Sequence, residues 1–222
     1  MNKLKAAAVT YVLLSLALSG DVWGQSATVD FESLPVGTSF GQFDGNMPGD
    51  LIFTEDGVDV RVDGFTGGFN IGPAFNGVEI GGFTDPAFST TPATLNNIRL
   101  VFDLGGLPSQ VTSANFEFAD FGGDENLVIN GTVLQTFRLT SLPGSLAGVN
   151  IAVTNVTNGL GGTLGNVELT GPISSLAIGG QELGIDNVTF RFSNVPEPSS
   201  ASLLAAVCSA AILRRRRRAI FT

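Results

Sequence analysis

Histidine is absent from the 222 residues, and cysteine, tyrosine and tryptophan occur once each. Those single residues, Cys208, Tyr11 and Trp23, sit towards the ends, as do the only lysines, Lys3 and Lys5. The stretch from residue 25 to residue 195 thus has no His, Cys, Lys, Tyr or Trp. Each absence removes a chemistry. Without histidine there is no Ser-His-Asp triad and no imidazole base. Without His or Cys, zinc loses its usual nitrogen and sulfur ligands. Schiff-base chemistry lacks its lysine, and no disulfide can brace the middle of the chain. Positive charge is scarce there too. Arg61, Arg99, Arg138 and Arg191 are its only basic residues, whereas of the 20 acidic residues only Asp21 and Glu197 lie outside it. So acidic a stretch repels nucleic acid.

The two ends are of a different kind. Lys3 and Lys5 precede an apolar run from Ala6 to Leu18, interrupted by Thr10, Tyr11 and Ser15. Small Val22 and Gly24 then stand where a signal peptidase reads, ahead of a cut before Gln25. Residues 1–24 read as a secretory signal peptide. A permanent membrane anchor is the alternative, but the run falls short of the ~20 apolar residues that cross a bilayer.

At the other end the order is Val195-Pro196-Glu197-Pro198-Ser199-Ser200, then a mostly apolar stretch from Ala201 to Leu213, then Arg214, Arg215, Arg216, Arg217 and Arg218. The two prolines forbid a helix across the junction and hold it extended. As a helix, residues 201–213 reach roughly 20 Å, less than a ~30 Å hydrocarbon core, and snorkelling arginines make up part of the deficit. The arginines mark the cytoplasmic side, which leaves residues 25–195 outside. Taken alone, this is a C-terminal anchor with a basic stop. Cys208 reads as a small hydrophobe within it.

Pro196-Glu197-Pro198, a short apolar helix and a terminal arginine cluster resemble the PEP-CTERM sorting signal of exported bacterial proteins. The resemblance implies transient anchoring in the inner membrane and processing near the motif by an exosortase, a membrane cysteine protease. It further implies a final place in the cell envelope or extracellular matrix. Bacteria with such tails are associated with exopolysaccharide, so a biofilm role is implied as well.

The middle, residues 25–193, shows no sustained apolar period of 3.6. It alternates instead. Ile98, Leu100, Phe102 and Leu104 fall on one face, as do Ala114, Phe116 and Phe118, and then Val188, Phe190 and Phe192. Asn130-Gly131 between two apolar triplets signals a type I′ hairpin. Further strands are expected near residues 28–32, 58–62, 149–153, 167–170 and 174–178. Gly-Gly pairs, Gly161-Gly162 and Gly179-Gly180 among them, read as the turns between strands. About ten short strands predict an all-β sandwich, with a jelly roll as the specific expectation. Phe, Ile, Leu and Val must supply its core.

Little catalytic chemistry remains. Two carboxylates could act as acid and base in glycoside hydrolysis, with Glu32, Glu79, Glu117, Asp120, Glu125 and Asp186 as candidates. Solvated surface acids are the plainer reading, and no Trp or Tyr is present in the middle to stack a sugar. Calcium, which takes oxygen ligands, suits the composition better. The opening Asp30-Phe31-Glu32 and the late Ile185-Asp186-Asn187-Val188 resemble the jelly-roll carbohydrate-binding modules. That resemblance implies a structural calcium shared by Glu32 and Asp186; otherwise they are ordinary edge acids. The acid-rich Asp120 to Asn126 has no EF-hand spacing and reads as a hairpin loop. The expectation is a non-enzymatic exported protein of the surface or matrix, with extracellular polysaccharide as a partner. The alternative is a glycan-binding module, and a carboxylate hydrolase comes last.

Overall fold

The alternation seen in the sequence is the alternation of burial. Ile98, Leu100 and Phe102 are buried while Arg99 and Val101 between them are half-buried, and Phe116 and Phe118 are buried on either side of half-buried Glu117. A strand whose apolar residues all point one way must press that face against another layer. The computed structural model describes residues 25–67, 75–81, 91–159 and 161–193, all within one unit, Gly24–Ser193. Its strands in chain order are β1 (Gln25–Val29), β2 (Ser39–Gly41), β3 (Leu51–Glu55), β4 (Val58–Gly64), β5 (Gly77–Ile80), β6 (Ala93–Asn96) and β7 (Ile98–Asp103). There follow β8 (Val111–Asp120), β9 (Glu125–Ile129), β10 (Thr132–Thr136), β11 (Ser145–Leu146), β12 (Val149–Gly159), β13 (Gly162–Ile173), β14 (Leu176–Gly180) and β15 (Leu183–Phe192).

They form two antiparallel sheets, an all-β sandwich as expected. The larger has nine strands in the order β11-β12-β13-β8-β15-β6-β5-β2, with β1 also on β15; the smaller has six, β10-β9-β14-β7-β4-β3. The chain passes repeatedly from one sheet to the other, and its first and last strands lie side by side, Gln25 opposite Phe192 and Val29 opposite Val188. Between the sheets Phe102 of β7 meets Phe190 of β15, ring centroids 5.7 Å apart and planes at 53°. Phe31, just past β1, packs edge-on against Phe53 of β3 at 5.8 Å. Each such ring contributes about 1.5–3 kcal/mol by leaving water.

The Asn130-Gly131 hairpin forms as expected. Both residues have positive φ, 51° and 75°, and Ile129 faces Thr132 across the turn. That is the type I′ geometry, whose twist matches the strands it joins. Three expectations need correction. The first strand is β1, which ends at Val29, because Phe31 takes a left-handed φ of 62° and turns the chain away. Gly179 and Gly180 are not a turn; they complete β14, and Gln181-Glu182 make the corner. Asp120 to Asn126 is not a hairpin loop. It carries the chain from the end of β8 in one sheet to the start of β9 in the other.

Gly180 shows why a glycine stands in mid-sheet. It faces Glu125 across the β14–β9 pair, and a Cβ there would collide with Glu125 Oε2 and with the Cβ of Leu183. The buried glutamate occupies the space that a side chain would need. Gly180→Ala is therefore expected to cost about 1–3 kcal/mol, the range for overpacking a filled interior. A denaturant melt of the variant beside the natural protein reads this directly.

Candidate functional site

The outer face of the larger sheet is an ordered polar surface. In β8, Ser113, Asn115 and Glu117 alternate with inward Ala114, Phe116 and Phe118. In β13, Asn166, Glu168 and Thr170 alternate with inward Val167 and Leu169. The register aligns them: Asn166 stands opposite Glu117, Glu168 opposite Asn115, and Thr170 opposite Ser113. On the other flank β15 sets Asp186 opposite Glu117, Thr189 opposite Asn115, and Arg191 opposite Ser113. Cross-strand partners share a face, so carboxylates, amides, hydroxyls and a guanidinium form short rows across the sheet.

Two bulges shape this face. In β12 the pairing with β13 slips between Thr154 and Thr157, where Asn155 has a φ of 53°. In β15 it slips after Asp186, where Asn187 has a φ of 50° and donates its side-chain N–H to Glu117 Oε2 at 3.2 Å. Bulges bend a strand and re-aim side chains. Over β8, β12, β13 and β15 they leave a depression of about 410 Å³ lined by Ser113, Asn115, Asn155, Asn166, Glu168 and Arg191 among others. A second depression of about 200 Å³ shares Asn155 and Asn166 and reaches Glu117 and Thr157. Asn155 Nδ2 donates to Asn166 Oδ1 at 3.3 Å between them.

Three of the four arginines among the described residues are paired with aspartates: Arg61 with Asp59, Arg99 with Asp63, and Arg138 with Asp120. Arg191 has no ion-pair partner among the described residues, and it lines the larger depression. No aromatic ring does so, because the phenylalanines of β8 and β15 turn inward. The surface can donate and accept hydrogen bonds at many points. Phe118, only 1% exposed, and Leu164 line the smaller depression.

A second polar cluster is buried where the chain changes sheets. Asp120, wholly buried at the end of β8, accepts from Arg138 Nη1 at 2.8 Å and from the Leu139 N–H at 3.1 Å. Glu125, wholly buried at the start of β9, has no hydrogen-bond partner on either carboxyl oxygen among the described residues. Burial, with the Asp120 carboxylate next in weight, pushes its pKa up from an ordinary 4.5 to about 10; Arg138 opposes this, while Asp124 and Glu182 add to it. Glu125 is held as a neutral acid.

The two acids expected to share calcium have different surroundings. Asp186 is wholly buried, and its Oδ1 accepts the Asn187 N–H at 2.7 Å. Glu32 is exposed beyond β1, and its Oε1 accepts the Thr91 N–H at 2.8 Å. Among the described residues no three acidic side chains gather as a metal would require. The calcium expectation finds no support in this geometry. Of the acids considered for hydrolysis, Glu117 stands beside Asp186, Glu79 lies on β5 and Asp120 is tied to Arg138. The depression residues Asn155, Asn166, Glu168 and Arg191 were not apparent from the sequence. Each occupies a polar position of an alternating strand, and only the register across strands unites them.

The expected signal peptide at residues 1–24, Val195 to Pro198, the apolar stretch 201–213 and the arginines 214–218 lie outside the described residues. No helix of the described residues is long and apolar enough to cross a membrane. Residues 194–218 match the family described as the PEP-CTERM protein-sorting motif. The chain therefore carries the sorting signal of an exported, envelope-associated protein that an exosortase processes. No curated protein and no solved structure matches it.

Glu125 makes stability depend on pH in a definite direction. Its folded pKa lies above its unfolded value. The neutral form is equally available to both states only below about pH 4.5; above that the unfolded chain releases a proton that the fold retains. Stability should be greatest in acid and fall as pH rises towards 10, by up to about 1.4 kcal/mol per pH unit from this group. Glu125→Gln, which stays neutral, should flatten the decline. Melting temperatures of both proteins between pH 5 and pH 9 should diverge steadily, with the variant the more stable at the alkaline end.

Proposed function

We propose that this chain is a non-enzymatic protein of the bacterial surface or extracellular matrix, delivered by its sorting tail. We further propose that it meets extracellular polysaccharide through the outer face of the larger sheet. The observation that carries the first part is the sorting motif at residues 194–218. A protein sent outside through such a signal has to remain soluble and folded without disulfides. The acidic middle suits this, since like charges keep copies in solution. Calcium is not part of the proposal.

The polar face favours the second part. Asn115, Asn166, Thr170 and Glu168 of paired strands, with Asn155 of the β12 bulge, present amides, a hydroxyl and a carboxylate around one depression, a match for a ligand rich in hydroxyl groups. The surrounding negative charge disfavours polyanionic glycans, and the ligand class is a neutral polysaccharide. Without stacking rings, affinity must come from hydrogen bonds, each with a net worth of about 1 kcal/mol. Such a surface binds single sugars weakly and long chains by repetition.

Two measurements test the reading. Mass spectrometry of the protein recovered from native envelope or medium should show neither Met1 to Gly24 nor Arg214 to Arg218; intact arginines in the surface form would replace the sorted protein with a plainly anchored one. On a glycan array, neutral polysaccharides should bind and uronic-acid polymers should not. Asn166→Ala should weaken that binding roughly fivefold, as loss of one hydrogen bond predicts. Binding that is indifferent to Asn115 and Asn166 would remove this face from the reading.

A further inference from the structure

Every free sheet edge among the described residues except one is guarded. Strand β2 has three residues and β11 two, too short to template another chain. Strand β12 continues past β11 but is broken by the bulge at Asn155. Strand β3 slips register between Leu51 and Phe53 and ends on Glu55. Along β1, Asp56 Oδ2 accepts the Thr28 N–H, and Glu55 Oε2 accepts those of Asp30 and Phe31 just beyond it. These are the usual devices that stop sheets from joining edge to edge.

Strand β10 has none of them. Thr132-Val133-Leu134-Gln135-Thr136 pairs with β9 through five consecutive residues without a bulge, and the run through Phe137 has no charge, proline or glycine. Val133 is 54% exposed and Phe137 65%. The tight turn at Asn130-Gly131 decides which backbone groups are spent. Ile129 and Thr132 flank a two-residue loop and form its hydrogen-bonded pair, so Leu134 and Thr136 also bond to β9. The N–H and C=O groups of Val133 and Gln135 point the other way, off the sheet.

We propose that β10 is a self-association edge, to which β10 of a second copy adds antiparallel about a two-fold axis at Leu134. Val133 of one copy then lies opposite Gln135 of the other. Each such pair exchanges two N–H···O=C bonds, and the two six-stranded sheets become continuous. The occupant is a second copy because the edge is self-complementary under that axis, as an isologous contact requires. Charge points the same way. In a strongly acidic domain, Thr132 to Phe137 is an uncharged segment, and the one carboxylate hydrogen-bonded to it among the described residues, Asp124, is held by the Gln135 side chain at 2.8 Å. A five-residue strand pair buries less than the ~1,200 Å² of a stable interface, so the contact is weak in dilute solution and populated where the protein is concentrated.

The test uses the full chain in detergent, followed by sedimentation equilibrium over rising protein concentration. A reversible monomer–dimer equilibrium is expected. Val133→Pro removes an N–H that β9 does not use, so it should weaken association roughly tenfold or more while leaving the melting temperature nearly unchanged. In a Cys208→Ser background, Leu134→Cys should give a disulfide-linked dimer on mild oxidation, because only a two-fold at that residue brings the two sulfurs together. This second variant keeps the test decisive if the proline variant does not fold. A monomer at every concentration, a dimer undiminished by Val133→Pro, or no cross-link at Leu134→Cys would each overturn the proposal.

Discussion

The structure depends on phenylalanine and aliphatic side chains buried between two sheets, because nothing else is available to hold it. The middle of the chain has no cysteine for a disulfide, and its few arginines make only scattered ion pairs. The contact of Phe102 with Phe190 joins the central strands of both layers. Alternation in strands such as β4, β7 and β13 follows from that requirement. Such a strand gives its apolar residues to the core, and its remaining positions lie on the outer face, where polar groups are retained; β14, between β9 and β7, is buried throughout. The polar face over β8, β12, β13 and β15 is thus the other side of the same pattern that makes the core.

The corner between β8 and β9 shows the cost of joining two sheets in an acidic chain. Asp120 is buried where the chain leaves the larger sheet, and it keeps its charge company with Arg138 and the Leu139 N–H. Glu125 enters the smaller sheet close by without such a partner, and remains protonated. Gly180 has no side chain because that carboxyl lies over it. Acid, glycine and arginine come from three separate stretches of the chain, and the corner cannot be judged from any one of them.

The sorting tail and the β-domain divide the biology between them. The tail, matched at residues 194–218, is an address read by cellular machinery. The domain is what is delivered, and in the function proposed above its polar face meets hydroxyl-rich ligands while its β10 edge meets a second copy.

Local information was legible in the residues themselves. The Pro196-Glu197-Pro198 tail is contiguous in the sequence, so no tertiary structure is needed to recognise it. The all-β class followed from period-two alternation, and the β9–β10 turn from Asn130-Gly131, because φ > 0 at both positions leaves few alternatives. Strands β2, β3, β5, β6 and β11 escaped notice; each has five residues or fewer, too few for a pattern to stand out. Gly179-Gly180 looked like a turn because glycine usually marks one, whereas here it makes room for Glu125. Register is set by packing between strands distant in the chain. For that reason only the tertiary structure could align Asn115 with Glu168, separate the surroundings of Glu32 and Asp186, and leave β10 as the unguarded edge.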